Sequence, residues 1–307
     1  MIRLLHALAC GSILMGSAAI VHAQDVVELP LILQPGDLLE ISYSHERNDN
    51  GQVSGTNIVG EILIGNVDQD GFRATWTTIS MEVGGQVIDS SHPEAPGLML
   101  GIPIRYTADV DGMPVRIDDR EELLDLTMAS IIANRGGESV NQEAVARTRA
   151  LFDSMDDEVL ALGFLTVPKY LAICQGLALE PGQPNTAEVE APSPVGTATV
   201  RAVVTYLLEG IDEVEGTAQV EFRSTLDPAG TEQMVRDLLV QLVGPEEIPE
   251  SELQGMSIER NESASCEVNL ESGVAESVTY VTETKVLDQS RTEALVFSVV
   301  HSPARSR

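Results

Sequence analysis

Two cysteines are the residues whose type and placement most clearly suggest chemistry. Cys174 lies in an apolar run, and Cys266 begins a strand-like stretch 92 residues later. An even number of thiols favours a disulfide if the chain is exported, as its first residues indicate. Closing a loop of this size stabilises a folded chain by roughly 4 to 5 kcal/mol in a chain-entropy treatment. Two buried free thiols are the alternative. A metal site is not expected, because neither cysteine has a Cys or His nearby.

Catalytic motifs are absent from the sequence. The histidines after residue 23, which are His45, His92 and His301, are scattered along the chain. No His-x-x-x-His, Gly-x-Ser-x-Gly, phosphate-binding or dinucleotide-binding pattern occurs. Carboxylates are abundant, so a hydrolase that uses a pair of them is kept as an alternative. We predict no enzymatic activity, no cofactor and no metal.

Two stretches place alternating carboxylates before a glycine, as calcium loops do. They are Asp68-Gln-Asp-Gly71 and Asp109-Val-Asp-Gly112. Neither continues into the rest of an EF-hand loop. Both lie between strand-like runs, so we predict that they are hairpin turns.

The balance of charge limits the partners. The chain has 48 acidic and 18 basic residues, a formal net charge of -30 and a pI near 4.3. Such a surface repels phosphate backbones and anionic lipid headgroups. Nucleic-acid binding and electrostatic docking on a membrane are therefore disfavoured.

The N-terminus has the three parts of a secretory signal peptide. Arg3 is followed by an apolar run and by the small-residue pattern Val21-His22-Ala23. We predict cleavage between Ala23 and Gln24, a periplasmic or secreted bacterial protein, and no transmembrane span in the mature chain. The alternatives are an uncleaved membrane anchor and a lipid-modified Cys10.

A repeated segment suggests that the exported chain has two related halves. Leu31-Ile-Leu-Gln-Pro-Gly36 returns as Leu177-Ala-Leu-Glu-Pro-Gly182, an offset of 146 residues (177 - 31). Turn glycines Gly71 and Gly216 repeat at an offset of 145 (216 - 71). We predict a signal peptide at 1–23, a first β-rich half with two helices at 24–176, and a second with one helix at 177–307.

Hydrophobic periodicity predicts an α+β fold with one or more large curved antiparallel sheets. A period of two predicts strands, and a period of three to four predicts amphipathic helices. The predicted strands are 37–44, 56–67, 72–83, 98–110, 113–117, 197–208, 217–225, 263–270, 274–287 and 294–301. The three predicted helices are 118–135, 141–162 and 227–243. Residues 45–55 and 246–262 are predicted to be turn and loop, and 182–196 an extended loop or edge strand.

The openings and two turn motifs resemble those of uncharacterised bacterial exported families. The turn motifs are Asp109-Val-Asp-Gly-Met-Pro114 and Val268-Asn-Leu-Glu-Ser-Gly-Val274. These families in turn resemble, in fold, the periplasmic lipoprotein carriers of the LolA/LolB type, whose half-barrel holds lipid. The resemblance spans most of residues 31–301 and implies a half-barrel, but it transfers no functional residue.

A sheet that meets amphipathic helices commonly leaves an apolar cleft. We therefore predict an exported, non-enzymatic protein that binds a lipid or other apolar ligand, or an envelope protein. One alternative is an envelope interaction protein whose core is filled by its helices, and the other is the carboxylate hydrolase. The sequence indicates neither the ligand nor the oligomeric state.

Overall fold

The structure is a computed structural model that describes residues 26–92, 95–133, 142–192, 199–243, 258–286 and 289–304. The predicted signal peptide and its cleavage site between Ala23 and Gln24 lie outside these residues.

Alternation of apolar and polar residues produces the strands, because successive side chains of a strand point to opposite faces. In β2, for example, Leu39 and Ile41 are buried whereas Glu40 and Ser42 are exposed. The described strands are β1 (Val27–Leu29), β2 (Leu38–Asp49), β3 (Gln52–Asp68), β4 (Gly71–Val83), β5 (Gln86–Asp89), β6 (Pro103–Ala108), β7 (Pro114–Ile117), β8 (Leu177–Leu179), β9 (Asn185–Pro192), β10 (Thr199–Asp212), β11 (Thr217–Leu226), β12 (Ile258–Asn269), β13 (Ala275–Val286) and β14 (Gln289–Ser302).

One large antiparallel sheet contains 12 of these strands. Its order is β7-β6-β4-β3-β2-β14-β13-β12-β11-β10-β9, and β5 pairs with β4. The strands before residue 177 form one meander, those after it form another, and β2 pairs with β14 to join the two. The predicted large antiparallel sheet is confirmed, and it is open, with β7 and β9 at its ends.

The two repeated segments fold into the same turn. In Gln34–Asp37 the last amide donates to the first carbonyl at 3.0 Å, and Glu180–Gln183 repeats this hydrogen bond at 3.1 Å. The third residue of each turn has a positive φ, 93° at Gly36 and 70° at Gly182. A proline followed by such a glycine is the sequence that a type II turn requires.

The repeated segments also make matched contacts with the sheet. Gly36 donates to the carbonyl of Ile64 on β3, and Gly182 donates to that of Leu208 on β10, each at 2.8 Å. In addition, β1 pairs with β8, so the two openings lie side by side. These contacts support the proposal of two related halves, while the division into 24–176 and 177–307 remains a prediction.

The core lies between the helices and one face of the large sheet, which we call the inner face. The largest fully buried side chains of this core are those of Tyr106, Tyr280, Phe297, Leu29, Ile41, Ile64, Leu124, Leu160, Leu165, Leu208, Val220 and Val268. Two smaller apolar clusters flank the core. One lies between the last long helix and β10 to β12, and the other lies beside β4 and β5.

The described part of the chain has five α-helices, two more than predicted. They are α1 (Arg120–Ala133), α2 (Gln142–Ser154), α3 (Asp157–Phe164), α4 (Thr166–Ala172) and α5 (Pro228–Val243), with a 3-10 turn at Ala95–Leu98. The single helix predicted over 141–162 is wrong. Asp156 breaks it, because its carboxylate accepts the amide of Val159 at 2.8 Å and caps α3. None of the described helices is long and apolar enough to cross a membrane.

Several strand boundaries also differ from the predictions; for example, β14 begins at Gln289 and not at residue 294. The turn predicted over 45–55 is only Asn50-Gly51, whose φ values of 50° and 90° suit a two-residue hairpin, so β2 and β3 continue almost to it. The loop predicted over 246–262 is wrong at its end, because β12 begins at Ile258. The strand predicted over 98–110 is only β6, since a 3-10 turn and Gly101 with φ 73° precede it.

Candidate functional site

Helices α3 and α4 fill one end of the inner face with aromatic and aliphatic side chains. Tyr170 of α4 packs on Tyr280 of β13 with ring centroids 4.1 Å apart, and Phe297 of β14 lies 6.3 Å from Tyr170. Burial raises the pKa of Tyr170 to about 12, so its hydroxyl stays neutral at physiological pH. This end of the face is a packed core.

A disulfide fastens α4 to the sheet. Cys174, two residues beyond α4, is bonded to Cys266 of β12. Both residues are buried, with 0% and 1% of their surface exposed. The bond therefore holds the end of α4 against the inner face.

The cavity that remains under α4 is small. It has about 20 Å³ of free space, enough for about one water molecule. Its lining is mostly apolar and consists of Leu31, Leu33, Leu39, Ile62, Ile64, Phe72, Tyr106, Gly112, Pro168, Leu171 and Gln175. Sites for small organic ligands have volumes of roughly 300 to 1,000 Å³. An acyl chain therefore has no room here, and the apolar cleft predicted between helices and sheet is filled at this end.

The opposite end of the inner face carries polar side chains on four neighbouring strands, and on three of these strands the side chains are charged. We call these eight residues the polar strip. They form two rows across β12, β13, β14 and β2. The first row is Glu262, Thr282, Glu293 and Arg47, and the second row is Arg260, Thr284, Arg291 and Asp49. Because neighbouring strands lie about 4.8 Å apart, the strip is about 14 Å wide.

Each arginine of the strip pairs with the carboxylate two residues further along its strand. These pairs are Arg47–Asp49 at 2.5 Å, Arg260–Glu262 at 2.7 Å and Arg291–Glu293 at 3.8 Å. Arg291 also donates to Asp49 across the β14–β2 pair at 2.7 Å. That hydrogen bond lowers the pKa of Asp49, so the carboxylate is ionised at neutral pH.

The strip is half-buried and locally neutral. The exposure of its six charged side chains ranges from 22% at Glu262 to 47% at Arg291. Burial lowers the pKa of Arg260, but the charge of Glu262, the hydrogen bond to it and the nearby Tyr280 and Tyr170 together outweigh burial, and the net pKa is raised. Three positive and three negative groups cancel, although the whole chain carries a net charge of -30. The strip is thus a partly desolvated surface that does not repel anions as the rest of the molecule does.

Lys169 of α4 lies between the packed end of the inner face and the polar strip. Its ammonium nitrogen is 4.9 Å from the centre of the Tyr170 ring. Burial lowers the pKa of Lys169, the charge of Glu262 raises it, and the charge of Arg260 lowers it further. Two residues of the strip therefore interact electrostatically with this amine. The net effect is a lowered pKa.

A second polar surface lies at the start of α1. It is an open groove of about 600 Å³ lined by Arg116, Ile117, Asp118, Asp119, Arg120, Glu121, Glu122 and Asp157. Arg120 donates to Asp157 at 2.8 Å and to the carbonyls of Phe152 and Met155 at 2.8 and 2.9 Å. Those carbonyls belong to the end of α2 and the turn after it, so Arg120 holds the α2–α3 connection. The groove is a network of ion pairs with an evident structural role.

Of the residues singled out in the sequence, Cys174 and Cys266 are joined by the disulfide, whereas the three histidines are not brought together. His45 lies on β2, His92 lies 3.3 Å from Gln86, and His301 contacts Asp37. The Asp-x-Asp-Gly stretches are hairpin turns, as predicted. Within the described ranges, no group of three or more His, Cys, Asp or Glu side chains is placed to hold a metal ion.

No family model and no curated protein matches this sequence. Among solved structures, the chain is similar to lipovitellin, in a structure that concerns its lipid–protein interactions, with a TM-score of 0.48 and 12% sequence identity. The match covers 90% of this chain and 26% of the lipovitellin chain, so this chain spans about a quarter of that protein's length. A likeness this distant assigns no ligand to the chain.

The polar strip was missed in the sequence because three of its four strand ends lay outside the predicted strands. Residues 45–55 and 246–262 were assigned to turn and loop, and the last strand was expected to begin only after Glu293. One signal could have revealed it. Arg47-x-Asp49, Arg260-x-Glu262 and Arg291-x-Glu293 all place an arginine two residues before a carboxylate. In a strand that spacing puts both side chains on one face.

Proposed function

We propose that this is an exported, non-enzymatic protein that binds an amphipathic, lipid-like ligand along the polar strip. The observation that carries the proposal is the contrast between the two ends of the inner face. One end is packed by α3 and α4, and the other presents half-buried charged groups.

The position of the strip supports an amphipathic rather than a purely apolar ligand. Its charged groups can hydrogen-bond a polar headgroup. The apolar cluster under α5, which includes Leu226 and Ile258, lies beside it on the same face. A ligand with both polar and apolar parts could use both surfaces, as ligand sites with few polar groups in apolar surroundings do.

A second candidate is an interaction protein whose core is filled and whose strip receives an envelope protein. The 20 Å³ cavity favours it, because the molecule then needs no internal ligand. The carboxylate hydrolase has less support, because carboxylates of the groove at the start of α1 form ion pairs with the arginines of the same groove. Arg120–Asp157 is 2.8 Å long and Arg116–Asp118 is 3.4 Å long.

Titration calorimetry with dodecanoate tests the proposal. We expect wild-type protein to bind, and the double variant Arg47→Gln, Arg291→Gln to bind about tenfold more weakly because charge-assisted hydrogen bonds are lost. Arg223→Gln is the matched control. Arg223 pairs with Glu221 two residues away at 2.8 Å, but on the outer face. Equal weakening of binding by the control variant would contradict the proposal. Absence of binding by wild type would also contradict it, and the interaction protein would then be the remaining candidate.

Export is tested separately by the intact mass of the protein from its host. We expect a mature chain that begins at Gln24. A mass that includes residues 1–23 would contradict cleavage.

A further inference from the structure

Lys169 is unusual among the charged groups of this molecule. The chain has only two lysines, Lys169 and Lys285. Lys285 lies on β13 with 60% of its side chain exposed and pairs with Glu259 at 3.8 Å. Lys169 is partly buried, and among the described residues no carboxylate oxygen lies within 4.0 Å of its amine.

A partly buried ammonium group without a carboxylate partner is energetically unfavourable. Loss of hydration penalises the charge, and normally a counter-ion offsets that penalty. This chain has 48 acidic residues, yet the nearby Glu262 is bound to Arg260 at 2.7 Å. Lys169 therefore retains an unused capacity to donate hydrogen bonds to an anion.

The surroundings of Lys169 favour one anionic group. Lys169 and Arg260 both interact electrostatically with Glu262, and when the Lys169 amine is protonated these three groups carry one net positive charge. The rings of Tyr170 and Tyr280 lie on the side of the packed core. An anion at this place gains from two cations and faces a single carboxylate.

We propose that Lys169 and Arg260 form an anion subsite at the edge of the polar strip, which takes a carboxylate or phosphate group. The inference rests on the proposed function in one respect, namely that the ligand occupies the strip. It adds that the headgroup of the ligand is anionic and that Lys169 selects it.

The test compares three amphiphiles with the same chain and different headgroups. Dodecanoate, dodecyl phosphate and uncharged dodecanol are titrated into wild type and Lys169→Met. We expect wild type to bind the two anionic amphiphiles about tenfold more tightly than dodecanol, the effect of one charge-assisted hydrogen bond, and Lys169→Met to lose that preference. Lys169→Arg should retain most of it, and Lys285→Met should bind as wild type does.

Amine labelling gives a second readout that a purely structural lysine would not produce. After reaction with an amine-directed reagent, mass spectrometry reports the modification of Lys169 and Lys285 in one sample. We expect dodecyl phosphate to protect Lys169 and to leave Lys285 unchanged, whereas dodecanol protects neither.

The outcomes separate the subsite from the proposed function. If wild type binds all three amphiphiles equally and Lys169→Met binds them as well, the subsite is wrong and the amphipathic function stands. If no amphiphile binds wild type, the proposed function is wrong. Inorganic phosphate that protects Lys169 at the same concentration as dodecyl phosphate would support the subsite and identify a free anion as its ligand. Protection by dodecyl phosphate alone would identify a lipid headgroup.

Discussion

Nε2 of His301 lies 3.1 Å from Oδ2 of Asp37, and this contact ties the end of β14 to the first Pro-Gly turn. The same carboxylate accepts the amides of Gln34 and Ala304, each at 2.8 Å. Only 2% of Asp37 is exposed. One buried carboxylate thus connects the start of the sheet to the end of the chain.

Asp37→Asn should destabilise the protein at neutral pH and weaken its sensitivity to acid. Burial raises the pKa of Asp37, but the amides of Ala304 and Gln34 and the His301 imidazole together lower it more, so the pKa lies below its usual value. Because the pKa of Asp37 is lower in the folded protein than in the unfolded chain, the carboxylate stabilises the fold at pH values above the unfolded pKa. This stabilisation is lost as the pH falls through the folded pKa. We expect the variant to lose about 1 to 3 kcal/mol at pH 7 in urea denaturation. The difference from wild type should shrink at pH 3, and a constant difference would contradict the assignment.

Reduction of the Cys174–Cys266 disulfide should destabilise the fold by about 2 to 5 kcal/mol. The bond closes a 92-residue loop and holds α4 on the sheet. Urea denaturation with and without reductant measures the effect, and the double variant Cys174→Ala, Cys266→Ala should behave like the reduced protein. An unchanged midpoint in protein shown by its mass to be reduced would refute this prediction.

Gly60→Ala should be strongly destabilising, although alanine is small. A Cβ at Gly60 would lie 2.2 Å from Cη2 of the Trp76 indole, which is itself only 6% exposed. Overpacking of this kind costs about 1 to 3 kcal/mol. Gly55→Ala, in the same strand, is the control, because its nearest contact would be an ordinary 3.7 Å from the His45 carbonyl. Thermal unfolding of both variants checks the difference, and equal stability would show that Trp76 moves freely.

Arg120→Ala should lower stability more than Arg116→Ala. Arg120 donates to the carbonyls of Phe152 and Met155, and only the Phe152 carbonyl also accepts a backbone amide, that of Met155 at 3.2 Å. Loss of Arg120 therefore removes the charged donor from the partly buried Met155 carbonyl, at about 1 to 3 kcal/mol. Arg116 makes only exposed contacts, which contribute about 0 to 1 kcal/mol. Chemical denaturation of the two variants measures this, and similar losses would argue against a role for Arg120 in holding the α2–α3 connection.

Local turn chemistry explains which parts of the fold could be predicted. Pro35-Gly36 and Pro181-Gly182 specify their turns through backbone conformation alone, and their repetition in the sequence indicated two related halves. Asn50-Gly51 is an equally strong hairpin signal, but polar neighbours hid it. The strands there lie beyond the packed core, and their inner faces carry polar residues in place of apolar ones, Arg47 and Asp49 on β2 and Gln52 and Ser54 on β3.

The candidate site depends on pairings that no local pattern reveals. Arg291 and Asp49 are 242 residues apart and meet only because β14 pairs with β2. Lys169 lies beside the strip because α4 packs on the inner face. The sequence there indicates only an apolar run, so this helix was not predicted. Pro168 in the first turn of α4 is compatible with a helix but does not predict one.

The β2–β14 pair has a consequence for how the molecule is made. Asn50 and Ser290 are 240 residues apart yet share a hydrogen bond, so a chain synthesised from its N-terminus holds β2 without its neighbour until the last strand is complete. Such long-range pairing slows folding. A nascent or truncated chain that ends before Gln289 would leave β2 and β13 as two bare edges, which favours aggregation. Loss of the 14 residues of β14 should therefore harm this protein far more than an internal loop deletion of equal length.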